Sequence, residues 1–250
     1  SLHDALPILQ TMRDLIVSAI SYVERLQQGD TGALGLSTGY EDLDRLITGL
    51  RPGEMVVLAA RPSIGKTALA LNIAANIALR GAQAPVGFFS LEMPAEQVVL
   101  RMLCSEAGIG LPEIREGAMS HARWHELMLA SQRLRDASIV IDDTGGIDIL
   151  ELRSKARRMK RDYGIQALFI DYLTLIQVSG TNRNSSRENE VARISGNIKA
   201  LAKELSIPIV VLAQLNRQAE QQGQRPRLAH LRESGAIEQD ADVVALLHRD

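Results

Sequence analysis

The chain has 250 residues, 46% of them hydrophobic and only 3% aromatic, so one sizeable core must be filled mainly by aliphatic side chains. A formal net charge of −2 excludes a globally basic nucleic-acid binder, and any grip on a polyanion has to come from a local patch or from backbone groups. The single cysteine, Cys104, excludes an intramolecular disulfide and a cysteine-based zinc site and suits a reducing cytosol, and no apolar run reaches the ~18 residues of a membrane span.

The opening stretch SLHDALPI lacks a basic region leading into a long apolar one. It is not a secretory signal, and residues 1–9 read as a tail that fits no downstream pattern. From Met12 the apolar positions Leu15, Ile16, Ala19, Ile20, Val23 and Leu26 make a narrow helical stripe. GDTGALGLSTG, with four glycines, then breaks the chain as a linker. Periodicity alone leaves open whether the stripe packs on its own domain or on a neighbouring subunit.

Thr38 to Glu41 read as a capping box ahead of Leu43, Leu46, Ile47 and Leu50 on one helical face. EMVVLAA is a short buried strand, and the helix over roughly 66–80 stops at Gly81. VGFFSLE is the next strand, with Pro94 opening a helix after it. A helix over about 120–136 leads to the strand SIVIDD, Asp148 caps a helix that runs to Tyr163-Gly164, and ALFIDYLTLI is a further strand. A helix carrying Val191, Ile194, Ile198, Leu201 and Leu205 leads to the strand PIVVLAQ, and DVVALL closes the series. Strands alternating with helices predict an α/β fold with a mostly parallel central sheet, helices on both faces and ligands beyond the carboxyl ends of the strands. The stretch over 179–189 has almost no means of packing and reads as an exposed loop.

The chemistry gathers at those strand ends. ARPSIGKT, Ala60 to Thr67, sits between a buried strand and an apolar helix, the context a phosphate-binding loop demands. Arg61, Pro62, Ser63, Ile64, Gly65, Lys66, Thr67 and Ala68 form the candidate nucleotide-binding segment. Backbone N–H groups would face the phosphates, Lys66 would reach the β and γ groups, and the Thr67 hydroxyl would hold Mg²⁺. Alanine replaces the first glycine of the pattern, and its single methyl leaves moderate backbone angles open. Asp171 follows a buried apolar run, where a carboxylate is costly unless it serves a cation, and is the second candidate Mg²⁺ ligand. Glu92 is the best-placed carboxylate to activate an attacking water, against the alternative of a charge that merely favours a helix amino terminus. Asp142 and Asp143 compete for the same role. Gln214 ends a strand as an uncharged donor suited to sensing the γ-phosphate, and spacing alone leaves open that it is simply a surface polar residue.

Other features carry less. His121 and His125 have helix-face ligand spacing but no third ligand. Ser90 lacks the flanking glycines of a nucleophile elbow. RSKARRMKR, six basic residues in nine, reads as a solvated outer face ahead of a nucleic-acid contact, and Trp124 as a core residue.

Together the segments LSTGYEDLDRLITGLRPGEMVVLAARPSIGKT, GFFSLEM, LFIDYLTLI, VVLAQLNR and LRESGAIEQDADVVALLHRD resemble the RecA-like motor domain of the DnaB family of replicative helicases. In that family alanine is a usual residue ahead of R-P-S-x-G-K-T. The resemblance implies a RecA-like P-loop ATPase domain over 36–250, preceded by a linker helix and linker over 10–35 that docks on the adjacent subunit. It implies a catalytic role for Glu92, with Lys66 on the phosphates, Asp171 beside Mg²⁺ and Gln214 coupling the γ-phosphate to the DNA loops. It also implies that backbone amides around Arg232, Glu233 and Gly235 grip single-stranded DNA, a mode of contact that needs no net positive charge. ATP and Mg²⁺, identical subunits in a ring hexamer, 5′ to 3′ movement on one strand, a primase and a helicase loader complete the expectation, with no membrane involved. The family's primase-binding amino-terminal domain and its arginine finger lie outside the 250 residues, which implies weak hydrolysis by this stretch alone. The alternatives are a recombinase, a RadA-like or clock-type ATPase of the same fold without fork unwinding, and a non-catalytic nucleotide-binding module.

Overall fold

The computed structural model describes residues 11–28, 35–117, 119–179, 186–216, 225–231 and 235–249. The chain divides into two units, 1–35 and 36–250. In the first, helix α1 (Met12–Gln27) starts at a capping box in which the Thr11 hydroxyl and the Asp14 carboxylate satisfy each other's end of the turn, and none of its residues is buried. Met12, Leu15, Ile16, Ile20 and Val23 are all exposed.

The second unit runs α2 (Glu41–Ile47), β1 (Met55–Ala60), α3 (Lys66–Leu79), β2 (Val86–Ser90), α4 (Ala95–Ala107), α5 (Leu111–Arg115), α6 (His121–Arg135), β3 (Ile139–Asp142), α7 (Ile149–Tyr163), β4 (Ala167–Asp171), α8 (Arg187–Leu205), β5 (Ile209–Gln214), α9 (Gly235–Asp240) and β6 (Val243–Leu246). Six strands form one sheet in the order β3-β2-β4-β5-β1-β6, every pair parallel. Successive side chains of a strand point to opposite faces, and both faces are apolar because both are covered. Met55, Val57, Ala59, Leu168, Ile170 and Val211 pack with Leu152, Ala156, Ile194 and Ile198 of α7 and α8. Val56, Leu58, Phe88, Phe169 and Val210 pack with Ala70, Ile73, Ala74, Val98 and Met102 of α3 and α4. Phe88 and Phe169 stack across that second face with ring centroids 5.9 Å apart.

Register, more than composition, positions the site. Ala60 pairs with Gln214 and Ser90 with Asp171, so the carboxyl ends of β1, β5, β4 and β2 finish along one edge of the sheet.

Three expectations need correction, and two helices come in addition. No capping box spans Thr38 to Glu41: α2 starts after Tyr40, which makes no side-chain cap. Instead Asp44, a turn further on, reaches back to accept from the Thr38 hydroxyl (2.7 Å) and the Ser37 hydroxyl (2.6 Å). The expected strand ALFIDYLTLI stops at Asp171, where its pairing with β2 ends at Ser90; a 3₁₀ turn, Leu173–Leu175, follows. Helices α5 and α9 were not foreseen. Trp124 is 55% exposed rather than in the core, since α6 buries only Ala130.

The basic helix α7 has its cations engaged: Arg153 with Glu204 (3.0 Å), Lys155 with Asp142 (2.9 Å), Arg158 with Asp162 (3.6 Å), and Lys160 donating to the Ile165 carbonyl (3.0 Å). Asp242 joins α8 to the sheet, accepting from the Met55 amide at 2.7 Å while Lys199 pairs with it. Among the described residues no helix is long and apolar enough to cross a membrane.

Candidate active site

Strand β1 is buried along its whole length and delivers the chain to the carboxyl edge of the sheet. Ala60, where the loop pattern has a glycine, is still in the ladder: it is 1% exposed, and its carbonyl accepts from the Leu215 amide at 3.0 Å. That position is ordinary extended backbone with room for a methyl, so alanine serves. Left-handed backbone comes later, at Ser63 (φ 66°) and at Gly65 (φ 111°), where an added Cβ would meet no neighbour but the backbone angle itself favours glycine.

Gly65 then caps α3 without a side chain, and the first turn of the helix carries no acidic residue. The free amides and positive end of the helix are therefore left to an anion. Below them, the Thr67 hydroxyl donates to Asp171 Oδ2 at 2.7 Å, and Lys66 Nζ stands 3.5 Å from Asp171 Oδ1 and 4.5 Å from the centre of the Tyr172 ring. Asp171 is 1% exposed, and its Oδ1 accepts no hydrogen bond from the described residues, with the Lys66 ammonium only at ion-pair distance. A buried carboxylate oxygen without a donor is expensive. Beside a hydroxyl it makes a hard-oxygen donor set suited to Mg²⁺, which takes few protein ligands and completes its shell with water and phosphate. Among the described residues no cluster of three or more His, Cys, Asp or Glu could hold a metal, and that includes the pair His121 and His125.

A cavity of about 400 Å³ opens over this floor. Arg61, Pro62, Ser63, Gly65, Lys66, Thr67 and Ala68 line one side and Glu92 and Gln214 join them, so the segments that follow β1 and β2 and the last residue of β5 meet at one cavity. Ile64 is half-buried outside that lining, its amide closing the turn on the Arg61 carbonyl at 3.4 Å. The Arg61 guanidinium donates to the Leu215 carbonyl at 2.9 Å. Asp142 and Asp143 are not in the lining. Burial pushes the Asp142 carboxyl up, but hydrogen bonds from Lys155 and Thr144 outweigh it and leave the group below its usual range. Asp143 accepts from the Ala95 amide at 2.8 Å. Met93, Arg101 and Tyr172 join the cavity without having been foreseen. Arg101 lies two turns into α4, and a lone arginine there has no sequence signature; only the packed fold brings it to the cavity.

The family model for the DnaB-like helicase C terminal domain matches residues 35–250. The chain belongs to that family. It is 44% identical over 242 residues to the replicative DNA helicase DnaC of Bacillus subtilis (strain 168), and equally so to the replicative DNA helicase DnaB of Geobacillus stearothermophilus. Each alignment covers 96% of this chain and 53% of the relative, so the chain spans about half the length of these DnaB-family proteins. Among solved structures it resembles one described as an ATPase domain, with a TM-score of 0.85 and 34% identity over 94% of this chain and 84% of that one. A DnaB-like replicative helicase described with its interactions with primase gives a TM-score of 0.84 and 34% identity over 97% of this chain and 57% of that one. The fold is therefore the RecA-like ATPase fold of DnaB-like helicases.

Of the expected DNA-contacting residues, Arg232 and Glu233 lie outside the described residues, as do 180–185 of the exposed loop, while Gly235 begins α9. The approach to this region is tied to the cavity. Leu215, next to Gln214, bridges antiparallel to Leu231, and the Asn216 amide donates to the His230 carbonyl at 2.9 Å.

Proposed function

We propose that this chain is the motor of an ATP-driven replicative DNA helicase, with residues 36–250 as the ATPase domain and 10–35 as a linker helix and linker docking on an adjacent, identical subunit. The observation that carries the reading is the buried Asp171 carboxylate, with one oxygen on the Thr67 hydroxyl and the other facing the Lys66 ammonium without a hydrogen bond from the described residues, under a helix amino terminus with no acidic residue of its own. In this reading the amides of residues 61–68 and the Lys66 ammonium hold the triphosphate of ATP, with Arg101 adding charge from the α4 side. Thr67 and Asp171 would hold Mg²⁺, which when bound neutralises phosphate charge as the transition state forms. Glu92 takes the proton of the attacking water, and Gln214 senses whether the γ-phosphate is present.

The bridge from Leu215 to Leu231 supports a mechanical route from Gln214 to the segment of Arg232, Glu233 and Gly235, which would grip single-stranded DNA through backbone amides. Sequence-blind backbone contact suits a translocating motor of net charge −2. The work this motor performs is 5′ to 3′ movement and duplex unwinding within a ring hexamer in the cytoplasm, served by a loader. The relative described with primase supports a primase as a further partner.

Replacing Glu92 by Gln tests the assignment. In the full-length protein with single-stranded DNA, turnover falls by about 10²–10⁴-fold while ATP binding is retained. Turnover at the parental rate would remove Glu92 as the base.

A further inference from the structure

Four residues, 91–94, join β2 to α4 and carry Glu92. Glu92 itself is exposed, whereas the backbone on either side of it is fastened. On the sheet side, the Leu91 amide donates to the Asp171 carbonyl at 2.8 Å, which ties the turn to the strand bearing the proposed Mg²⁺ ligand. Across the turn, the Ser90 hydroxyl donates to the Met93 carbonyl at 2.7 Å. Ser90 is 2% exposed, so this bond works in a water-poor setting and closes a loop with Glu92 at its middle. On the helix side, the carboxylate of Asp143, from the connection after β3, accepts from the Ala95 amide at 2.8 Å. That bond satisfies one of the free donors at the start of α4, an end at which Pro94 makes no side-chain cap.

We propose that Ser90 and Asp143 are positioning residues for hydrolysis, fixing the turn that aims Glu92 into the cavity. The inference rests on the reading of Glu92 as the base. Neither residue lines the cavity, so neither touches substrate. Buried and committed to a carbonyl, the Ser90 hydroxyl is not a nucleophile. Asp143, spent on a helix end, is not a rival base. A carboxylate on a four-residue turn has no rigidity of its own, and a displacement of ~1 Å at a catalytic group costs on the order of 10²-fold in rate. Ser90 holds the turn from the strand side and Asp143 from the helix side.

The test compares Ser90→Ala, Asp143→Ala, Asp143→Asn, Glu92→Gln and the Ser90→Ala/Glu92→Gln double variant in the full-length protein with single-stranded DNA. For each, kcat and KM for ATP, affinity for a fluorescent ATP analogue and Tm are measured. Ser90→Ala is expected to lower kcat by about 10- to 100-fold with KM and analogue affinity essentially unchanged. Asp143→Ala lowers kcat less, because its bond is exposed, and Asp143→Asn restores it, since the amide oxygen still accepts from Ala95. Adding Ser90→Ala to Glu92→Gln costs nothing further, because the group being aimed is already gone.

Parental kcat in both alanine variants overturns the proposal. So does a further loss on top of Glu92→Gln, or a fall in kcat matched by equal losses in analogue affinity and Tm. If Ser90→Ala fails to fold, Asp143→Ala against Asp143→Asn decides, as that side chain is on the surface. Normal turnover by Glu92→Gln removes the base reading and this inference with it, whereas an inactive Glu92→Gln beside an unimpaired Ser90→Ala and Asp143→Ala removes this inference alone.

Discussion

Replacing Asp171 by Asn separates what the carboxylate does for the fold from what it does for a cation. The substitution preserves shape, and the amide oxygen still accepts the Thr67 hydroxyl now bonded at 2.7 Å. Two electrostatic terms change in opposite directions. The pair Lys66–Asp171, 3.5 Å apart, is worth roughly 5 kcal/mol of gross attraction at an effective dielectric of ~20. Against it stands the desolvation of a carboxylate that is 1% exposed and has one oxygen without a hydrogen bond from the described residues, a cost of several kcal/mol that the neutral amide avoids. The terms nearly cancel, so nucleotide-free stability is expected to change by no more than about 1 kcal/mol, or ~2–4 °C in Tm.

Ligand linkage behaves differently. A slowly hydrolysed ATP analogue with Mg²⁺, at ~100 times its Kd, stabilises the parental protein by about 2.7 kcal/mol, or roughly 5–10 °C. In Asp171→Asn the part of that increment that depends on Mg²⁺ disappears, and the part seen with analogue and EDTA remains. Thermal unfolding of both proteins with EDTA alone, analogue plus EDTA and analogue plus Mg²⁺ reads all of these quantities. A full Mg²⁺-dependent increment in Asp171→Asn would refute the cation assignment. A nucleotide-free loss above ~3 kcal/mol would show the buried pair to be structural instead.

Two further outcomes follow from the fold. Gly39 has φ +80°, and a Cβ there would sit 2.3 Å from Asn76 Nδ2, which is bonded to the Thr38 carbonyl; Gly39→Ala is expected to cost at least about 2 kcal/mol in chemical denaturation, and a neutral result would mean that the turn relaxes freely. Hydrogen bonds from Arg157, opposed by burial and reinforced by Arg153, hold the Glu204 carboxyl below its ordinary value. A lowered folded pKa means that this stabilisation is present above the ordinary glutamate value of ~4.3 and is lost as pH falls from there through the folded value. Glu204→Gln should therefore be less stable than the parent at neutral pH and converge with it below about pH 4, which urea melts across pH 3–7 would detect. A constant gap across that range would remove the link.

Local signals were legible where one short stretch contains both the physics and its context. Ala60 to Thr67 lies between an apolar strand and an apolar helix, so the loop declared itself despite the missing glycine. Asp171 did so as well, because a carboxylate ending a buried run demands an explanation. The Asp148 cap and the stop at Gly164 followed from residue chemistry alone, and both are present. The capping box at Thr38 failed because Glu41, Asp42 and Asp44 all follow it closely and only packing chose Asp44. Trp124 failed because hydrophobicity does not reveal which face of α6 is covered.

The amino-acid sequence by itself determined the alternation of strands and helices, the phosphate-type loop and the acidic residues at strand ends, since these depend on neighbours within a few positions. Only the tertiary structure decided how they meet. The bond from Thr67 to Asp171 joins residues 104 apart, and it exists because the register pairs Ala60 with Gln214 and Ser90 with Asp171. The same tertiary arrangement put Arg101 and Tyr172 at the cavity, turned Arg61 toward Leu215, and gave Ser90 and Asp143 to the Glu92 turn rather than to chemistry. Strand pairing is a competition among distant segments settled by burial on both faces of the sheet, and no single stretch of the chain records its outcome.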